Sequence, residues 1–542
     1  MKKLFIVISI AAISLTSCED FLEEEIKSNV TAEDFYVTSE GYNALINSNY
    51  SSLREIYGQD PWLFMAGTDL YMEGRNPEPP GLSQYTQLTS SENEVEFLYE
   101  KCYVAIQRAN TAIYYADITE QTSNISQYLG EVKFIRANAF FLLVQTYGGV
   151  SLVTEKFDEV VVSFDRNSAE EIYSFIISEL EEAYNLVSDG AFIGRVNQRA
   201  VENLLAKVHL TRAYEPFAAS DDFSKAAQYA DNVIGGQTLN LSFEELWTPG
   251  NELNEEVIFS VQFDEKSISS SPTTLGHQQQ NFFGSYLGGS EVAGDAPYKS
   301  YNLCPTRHAL SLFEEGDERW EGTFMTEIYE RYYNYFDVED KSSLNVVHFY
   351  EPSWFTSIDS TAYVIANPGV EYHSFGDHDP EGGDISGNHN TIIIKKFDDP
   401  KSRFAADGSN RSVSTRDFIV SRLAETYLVA AEAYLGAGAA GTGLERLNEV
   451  RRRAGVADAT LAEFDLDYIL DERARELMGE YKRWFDLKRT GKLVERASLY
   501  HPLIEESNFN GSNGELKILR PIPQRAIDLN QNPNFEQNPA YQ

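Results

Sequence analysis

The sequence predicts a mostly α-helical protein in which pairs of helices form a scaffold for a large irregular region with a few short β-strands. In several segments apolar side chains recur three and four positions apart, which is the spacing of one helix face. Between about residues 239 and 417 that spacing is lost, and short β-like runs such as 257–261 and 391–394 stand among stretches rich in Gly, Ser, Asn and Tyr.

The predicted helical scaffold consists of three blocks, at about 31–57, 92–235 and 418–490. Within the second block, Ser168 and Glu171 fit a Ser-x-x-Glu capping box, and Gly235-Gly236 is expected to end the block's last helix. Two further helices flank the Gly/Ala linker over 436–443, and together they are close in length to the ~34-residue unit of tetratricopeptide repeats. Neither helix can bury its apolar stripe alone, so stacked pairs are expected.

The N-terminal residues are typical of an exported protein. Met1-Lys2-Lys3 and the apolar stretch over 4–15 predict a signal peptide at 1–17 that is too short to span a bilayer. Leu15-Thr16-Ser17-Cys18 has the form of a bacterial lipobox, which predicts a lipid on the thiol of Cys18. The alternative is a secreted protein cut at the same place without lipid. An acidic linker would follow within 18–30, and residues 31–542 would form a single domain.

Composition excludes several classes of partner. With 84 acidic against 44 basic residues, the formal charge of -40 argues against nucleic acid and polyanions and favours neutral or cationic ligands. Besides Cys18, the chain has only Cys102 and Cys304. This number excludes a disulfide scaffold and a Cys-x-x-Cys metal site, and it leaves open whether the two cysteines pair.

Signatures of catalysis are missing from the sequence. It contains no His-Glu-x-x-His, no Gly-x-Ser-x-Gly and no Gly-rich phosphate loop ending in Gly-Lys-Ser/Thr. A glycosidase needs only two suitably placed carboxylates, but a binding protein without cofactors is the prediction.

Calcium is the one ion that the sequence leaves open. Asp377, Asp379 and Glu381 resemble the start of a calcium-binding loop, although Pro380 interrupts it and Asn388 replaces its final glutamate. A solvated acidic loop is the other interpretation.

The two loop-rich regions, about 58–91 and 239–417, are the predicted ligand-binding regions. Sugar recognition needs flat apolar rings flanked by hydrogen-bonding groups, and both regions contain that combination. Trp62, beside Pro61, is the strongest stacking candidate, whereas Trp354 belongs either to the site or to a small loop core. For every ring, packing in the core is the alternative. The candidate ligand-binding residues are Trp62, Asp69, Tyr71, Arg75, Tyr85, Asn281, Phe283, Tyr286, Tyr298 and Trp354.

Several motifs resemble one known family. The stretch 130–141, followed by Tyr147-Gly148-Gly149-Val150, resembles an E-x-x-F-L-R-A-x-x-Y-F helix and a G-D-V-P-L turn, with Ser151 in place of the proline. The stretches 422–425, 448–455 and 483–487 resemble R-L-A-E, N-x-V-R-x-R-A-G and R-x-x-D-L. These elements, in this order, are those of the SusD/RagB-like outer-membrane nutrient-uptake lipoproteins of Bacteroidetes.

The resemblance implies a location and a function. It implies a SusD-like fold, attachment through a lipid to the outer membrane facing the cell exterior, and delivery of a captured glycan or peptide to a SusC-like TonB-dependent transporter. A neutral oligo- or polysaccharide is the expected ligand. Two alternatives remain: a peptide-binding protein of the same architecture, and a tetratricopeptide-type scaffold for protein interactions. A deep aromatic cleft would favour the glycan, a long groove the peptide, and a smooth concave helical face the scaffold.

Overall fold

Helices dominate the structure, a computed structural model that describes residues 31–58, 62–74, 80–264, 276–285, 297, 299, 302–378, 389–402 and 413–542. The helices of the first half are α1 Ala32–Tyr36, α2 Ser39–Tyr57, α3 Trp62–Met65, α4 Pro80–Gln84, α5 Asn93–Ala116, α6 Ile125–Tyr147, α7 Ala169–Leu186, α8 Gln198–Arg212 and α9 Asp222–Ile234. Those that follow are α10 Phe243–Trp247, α11 Arg307–Ser311, α12 Glu318–Thr323, α13 Asn334–Asp337, α14 Ser357–Ala366, α15 Leu423–Gly436, α16 Ala440–Arg453, α17 Leu466–Glu476, α18 Arg483–Arg489, α19 Leu493–Tyr500 and α20 Gln524–Leu529.

Consecutive long helices pack side by side and confirm the predicted helix-pair scaffold. Helix α5 packs on α6, α6 on α7, α7 on α8 and α8 on α9. Helix α9 then packs against α15, and α15 pairs with α16, so the scaffold continues across the long intervening region. Buried alanines such as Ala227, Ala230 and Ala430 lie where these last helices meet, and their small side chains permit close approach.

Two local signals in the sequence act as expected. Helix α7 begins with the complete capping box: the hydroxyl of Ser168 accepts from the backbone of Glu171, and the carboxylate of Glu171 accepts from the backbone of Ser168. Helix α9 ends at Gly235, whose φ of 55° lies in the left-handed region that glycine tolerates.

Nine short strands lie among the described residues, mostly in the second loop-rich region: β1 Tyr71–Met72, β2 Val257–Val261, β3 Cys304–Pro305, β4 Phe324–Met325, β5 Glu327–Tyr329, β6 Val346–Tyr350, β7 Glu371–His373, β8 Ile393–Ile394 and β9 Phe418–Arg422. Strands β2 and β9 pair antiparallel, with Val261 opposite Phe418. They therefore bring the two ends of the loop-rich region together at the scaffold.

Buried ion pairs join the loop-rich region to α17 and the turn after it. Glu472 and Glu476 are four residues apart and therefore lie on one side of α17, and Glu480 follows just after the end of the helix. The guanidinium of Arg319 lies 2.6 Å from Glu472, and the ammonium of Lys396 lies 2.5 Å from Glu480. Because these side chains are almost fully buried, each charge is stabilised by an opposite charge instead of by water.

No helix in the described part of the chain is both long enough and apolar enough to cross a lipid bilayer.

Candidate ligand-binding site

A cavity of about 530 Å³ opens in the second loop-rich region, where α10, α13 and the segment 395–401 meet. Its aromatic lining is formed by Trp247, Tyr335 and Phe336. All of its lining residues lie between Glu244 and Arg416, inside the region that the sequence predicts to bind ligand. Aromatic rings and charged groups in one concave site are the combination that sugar rings and hydroxyl groups require.

Trp247 forms the fixed wall of this cavity. It is the last residue of α10, a helix of five residues that begins with a second capping box, Ser242 with Glu245. The ammonium of Lys396 lies 4.5 Å from the centre of the indole, and Phe397 packs against the indole edge-on at 5.3 Å. Because these neighbours hold the buried indole in place, it shapes the wall without having to move.

Tyr335 and Phe336, on α13, form the more accessible wall. Both rings are half-buried, and their centroids lie 5.1 Å apart at an angle of 75°. The ammonium groups of Lys341 and Lys395 lie 4.7 and 4.4 Å from the centre of the Tyr335 ring. Burial raises the pKa of the Tyr335 hydroxyl, so this group stays neutral and can donate a hydrogen bond. The pair therefore combines apolar faces with polar groups.

Some of the cations that line the cavity have no direct ion pair within the described part of the chain, and an equal number of carboxylates balances them. Lys396 is paired with Glu480, and Arg416 lies 2.7 Å from Glu252. The lining also includes three other lysines and three acidic residues: Lys341, Lys395, Lys401, Glu244, Asp337 and Glu339. Because these charges balance, the lining attracts neither an anion nor a cation strongly. It still offers hydrogen-bonding groups to an uncharged polar ligand.

Lys395 is the most buried of these three lysines, with 6 % of its surface exposed. Burial lowers its pKa to about 8. The ammonium form therefore still predominates at pH 7, where it can donate hydrogen bonds into the cavity.

The structure places five predicted ligand-binding residues in the core instead of at a surface, which corrects that expectation. All five are at most 8 % exposed, so they offer no open face to a sugar. They are Trp62, Tyr71, Tyr85, Asn281 and Phe283. Tyr71 packs on Phe283 with centroids 5.7 Å apart, and Trp62 packs edge-on to Phe282 at 5.4 Å. The two loop-rich regions thus meet through a shared core.

Two other predicted residues also serve packing or charge pairing. Asp69 is fully buried, and its carboxylate accepts hydrogen bonds from Arg483 and Arg496. Trp354 is half-buried and packs edge-on to Trp320 at 5.1 Å, which corresponds to the loop-core interpretation of this residue.

Some predicted sites lie outside the described residues. These are Cys18, Arg75, Tyr286, Tyr298, Asp379 and Glu381. Asp377, the first residue of the calcium-like loop, is exposed, and its backbone N–H donates to the hydroxyl of Ser374 at 3.1 Å.

Sequence reasoning did not single out the residues that line the cavity. A signal for them exists: Tyr329, Tyr332, Tyr333, Tyr335 and Phe336 place five aromatic rings within eight positions of the loop-rich region. The sequence does not show which of these rings the fold buries. Tyr332 and Tyr333 are buried, whereas Tyr335 and Phe336 reach the cavity.

A helix-pair scaffold that carries a cavity in its loops is the architecture to which the sequence motifs pointed, and comparison with known families agrees. The model described as "SusD family" matches residues 255–541, and the model "Starch-binding associating with outer membrane" matches residues 20–210. The chain belongs to the SusD family.

Individual relatives cover nearly the whole chain. A SusD-like protein of Formosa agariphila is 26% identical, over 97% of this chain and 96% of its own. A solved laminarin-binding SusD-like protein superposes with a TM-score of 0.70 at 23% identity, covering 93% of this chain and 100% of that one. Surface glycan-binding protein A from Bacteroides thetaiotaomicron, in complex with laminarihexaose, gives a TM-score of 0.69 at 18% identity, covering 92% and 99%. These solved structures share the fold.

Proposed function

We propose that this chain is an outer-membrane lipoprotein that captures a neutral oligo- or polysaccharide at the cell surface and passes it, chemically unchanged, to a SusC-like TonB-dependent transporter. The observation that carries the proposal is the cavity between Trp247 and the Tyr335–Phe336 pair, with its balanced charges. The glycans named for two relatives of the same fold support the ligand class.

Each part of the lining has a role in this proposal. The ring of Phe336 offers an apolar face to the C–H surface of a sugar ring, and Trp247 sets the depth of the cavity. Lys395 donates to hydroxyl oxygens, while the carboxylate of Glu244 accepts from hydroxyl groups. Because the chain binds without reacting, none of these groups has to transfer a proton.

The test is calorimetric titration of residues 19–542 with a panel of neutral oligosaccharides that includes β-glucan and starch fragments. We expect saturable binding to one glycan, weakened tenfold or more by Phe336→Ala and by Tyr335→Ala. Tyr114→Ala is the matched control, because Tyr114 is a half-exposed tyrosine on α5, outside the lining of the cavity. This variant should bind as wild type does.

A basic peptide pool tests the alternative ligand. Binding of the peptides and of no glycan would replace the proposal with peptide capture. Glycan binding that survives both cavity variants would contradict the location of the site.

Lipid attachment at Cys18 is part of the same proposal. Cells that express wild type or Cys18→Ala would be grown with a labelled fatty acid. We expect label on the wild type alone, together with degradation of the wild type by protease added to intact cells. Label on both variants, or protection of the wild type from protease, would contradict the anchor or its orientation.

An apolar groove on the helical scaffold supports contact with a transporter. A cavity of about 400 Å³ is lined by Tyr99, Val162, Phe164 and Leu529, and the neighbouring Val160 is 90% exposed. Apolar surface that stays exposed marks interaction sites. A tagged chain should co-purify a TonB-dependent transporter from native membranes, and Val162→Asp should reduce its yield several-fold while Val364→Asp, on helix α14, should not. Equal recovery with all three proteins would exclude this groove as the contact.

A further inference from the structure

Two histidines and a glutamate come together on the short sheet β5-β6-β7, outside the glycan cavity. Strands β6 and β7 run parallel, with His348 opposite Glu371 and Tyr350 opposite His373. Side chains two positions apart on a strand lie on the same face. The register therefore places His348, Glu371 and His373 on one face of the sheet.

The distances among these three side chains match a metal-binding cluster. One ligand atom from each lies within 4.8 Å of those of the other two. Nδ1 of His348 lies 3.2 Å from Nε2 of His373, and it lies 3.6 Å from a carboxylate oxygen of Glu371. In a tetrahedral zinc site with bonds of about 2.0–2.1 Å, neighbouring ligand atoms stand about 3.3 Å apart. Only a small movement of Glu371 is then needed to bring its carboxylate to the spacing of a tetrahedral site.

Accessibility favours an ion as well. The side chains of His348 and His373 are 12% and 17% exposed, whereas that of Glu371 is 64% exposed. The imidazoles are thus held in place by packing, and the carboxylate lies at the surface, where it can close over an incoming ion.

A third histidine with an unsatisfied nitrogen borders the cluster. The ring of His389 stacks on His348 at 4.0 Å, and Nδ1 of His389 is buried with no hydrogen-bond partner in the described part of the chain. The backbone at His389 has a φ of 60°, and its carbonyl accepts a hydrogen bond of 2.7 Å from the hydroxyl of Tyr350. Tyr350 in turn stacks on His373 at 4.6 Å. The surroundings therefore fix both imidazole ligands in their orientation.

The geometry points to a binding site for a divalent transition-metal ion, zinc in the first place, formed by His348, His373 and Glu371. Two imidazoles and one carboxylate suit zinc and its neighbours in the first transition series, whereas calcium prefers ligands that are all oxygen. A bound ion would join β7 to β6 and fix the segment between them, which includes α14. Without an ion, the same two histidines share one hydrogen bond.

Zinc titration of residues 19–542, purified without a histidine tag and dialysed against a chelator, tests the site. We expect one zinc ion per chain by calorimetry, and Co²⁺ should produce the visible absorption of a tetrahedral site. Glu371→Gln should weaken zinc binding tenfold or more without unfolding the protein, because this side chain is exposed. The double variant His348→Gln with His373→Gln should abolish binding, and His308→Gln, a histidine outside the cluster, should leave it unchanged.

Thermal unfolding separates binding from folding defects. Zinc should raise the Tm of wild type and of His308→Gln, and it should raise that of Glu371→Gln less, since the stabilisation depends on how tightly the ion binds the folded state. Wild-type protein that binds no zinc would overturn the site and leave the hydrogen bond between the two histidines as the role of the cluster. Unaltered affinity in the double variant would equally overturn it.

Discussion

The guanidinium of Arg483 donates to both carboxylate oxygens of Asp69, at 2.8 and 2.6 Å, although the two residues are 414 positions apart. Arg496 adds a third hydrogen bond of 2.8 Å to the same carboxylate. Burial alone would raise the pKa of Asp69, but the charges of the two arginines outweigh it and hold that pKa well below its ordinary value. One buried carboxylate thus connects the first loop-rich region to α18 and α19.

We expect Asp69→Ala to lower the free energy of unfolding by about 3–5 kcal/mol, because it removes the carboxylate that pairs with the buried guanidinium of Arg483, while Arg496 keeps Asp467 and Asp471 as partners. Urea denaturation measures the change. Asp458→Ala is the control: Asp458 also pairs with an arginine, Arg452, but both side chains are about half exposed, so about 0–1 kcal/mol is expected. Similar losses in the two variants would contradict the role of burial.

Acid should destabilise the protein progressively below pH 7. Burial lowers the pKa of His277 to about 4 and that of His501 to about 3 in the folded state. The unfolded chain therefore takes up these protons first, as pH falls below about 6.5, and stability is lost at about 1.4 kcal/mol per pH unit for each histidine.

Buried carboxylates extend the acid loss to lower pH. The cations around Glu425 and Glu472 outweigh burial and lower both pKa values from 4.5 to about 2, so their contribution is complete above pH 4.5 and disappears toward pH 2. Burial raises the pKa of Asp417 to about 6, and desolvation also raises the pKa of other carboxyl groups such as Glu73 and Glu321, which acts in the opposite sense and makes the acid loss shallower. Urea denaturation at pH 7, 5.5 and 4 should give steadily falling stability; equal values at pH 7 and pH 4 would contradict it.

Trp62→Ala and Phe283→Ala should each cost about 3–5 kcal/mol of stability, because each removes a large ring from the core. Glycan affinity, measured on the folded fraction, should stay unchanged. Phe336→Ala should show the reverse pattern, with affinity lost and stability less affected. Weaker glycan binding in folded Trp62→Ala would instead support a direct role of Trp62 in ligand binding.

Ser168→Ala should lower the free energy of unfolding by about 1 kcal/mol, since it removes the N-terminal cap of α7. Ser51→Ala provides the comparison, because Ser51 is exposed within α2, where alanine is the better helix former. Thermal or urea unfolding should show opposite signs for the two substitutions. Equal effects would mean that the capping box contributes nothing.

Cys102 and Cys304 are both buried and no disulfide joins them, which answers the question that the sequence left open. Burial raises the pKa of each thiol above its ordinary value. We expect residues 19–542 to show no thiol that reacts with a chromogenic thiol reagent in the native state, and two reactive thiols in denaturant. Rapid native labelling would contradict the burial.

The sequence predicts the scaffold well because its signals are local. Helical stripes, the Ser168 capping box and the strand at 257–261 depend on neighbouring residues, and each is present in the structure. Several charged residues of the family motifs also form buried ion pairs, such as Arg422 with Glu476 at 2.6 Å. The amphipathic spacing itself shows which side of each helix faces the core.

The sequence indicates the candidate ligand site only as a region. Loop residues have no periodicity, so the sequence does not distinguish an aromatic ring that faces a ligand from one that faces another ring. The burial of Tyr71 depends on Phe283, more than 200 positions away, and only the folded chain brings the two together. Tertiary packing also decides that Tyr332 and Tyr333 are buried whereas Tyr335 and Phe336 line the cavity.

The pairing of Val261 with Phe418 makes the segment between them an exchangeable insert. Since its two ends already lie side by side on the scaffold, its length can change at a small entropic cost, about 0.6 kcal/mol for each doubling. A replacement segment would lose the contacts of Arg319 with Glu472 and of Lys396 with Glu480, but arginines of the scaffold would still pair with both carboxylates: Arg451 and Arg475 with Glu472, and Arg422 with Glu480. Evolution, or an engineer, could then change the ligand preference while leaving the helical scaffold intact.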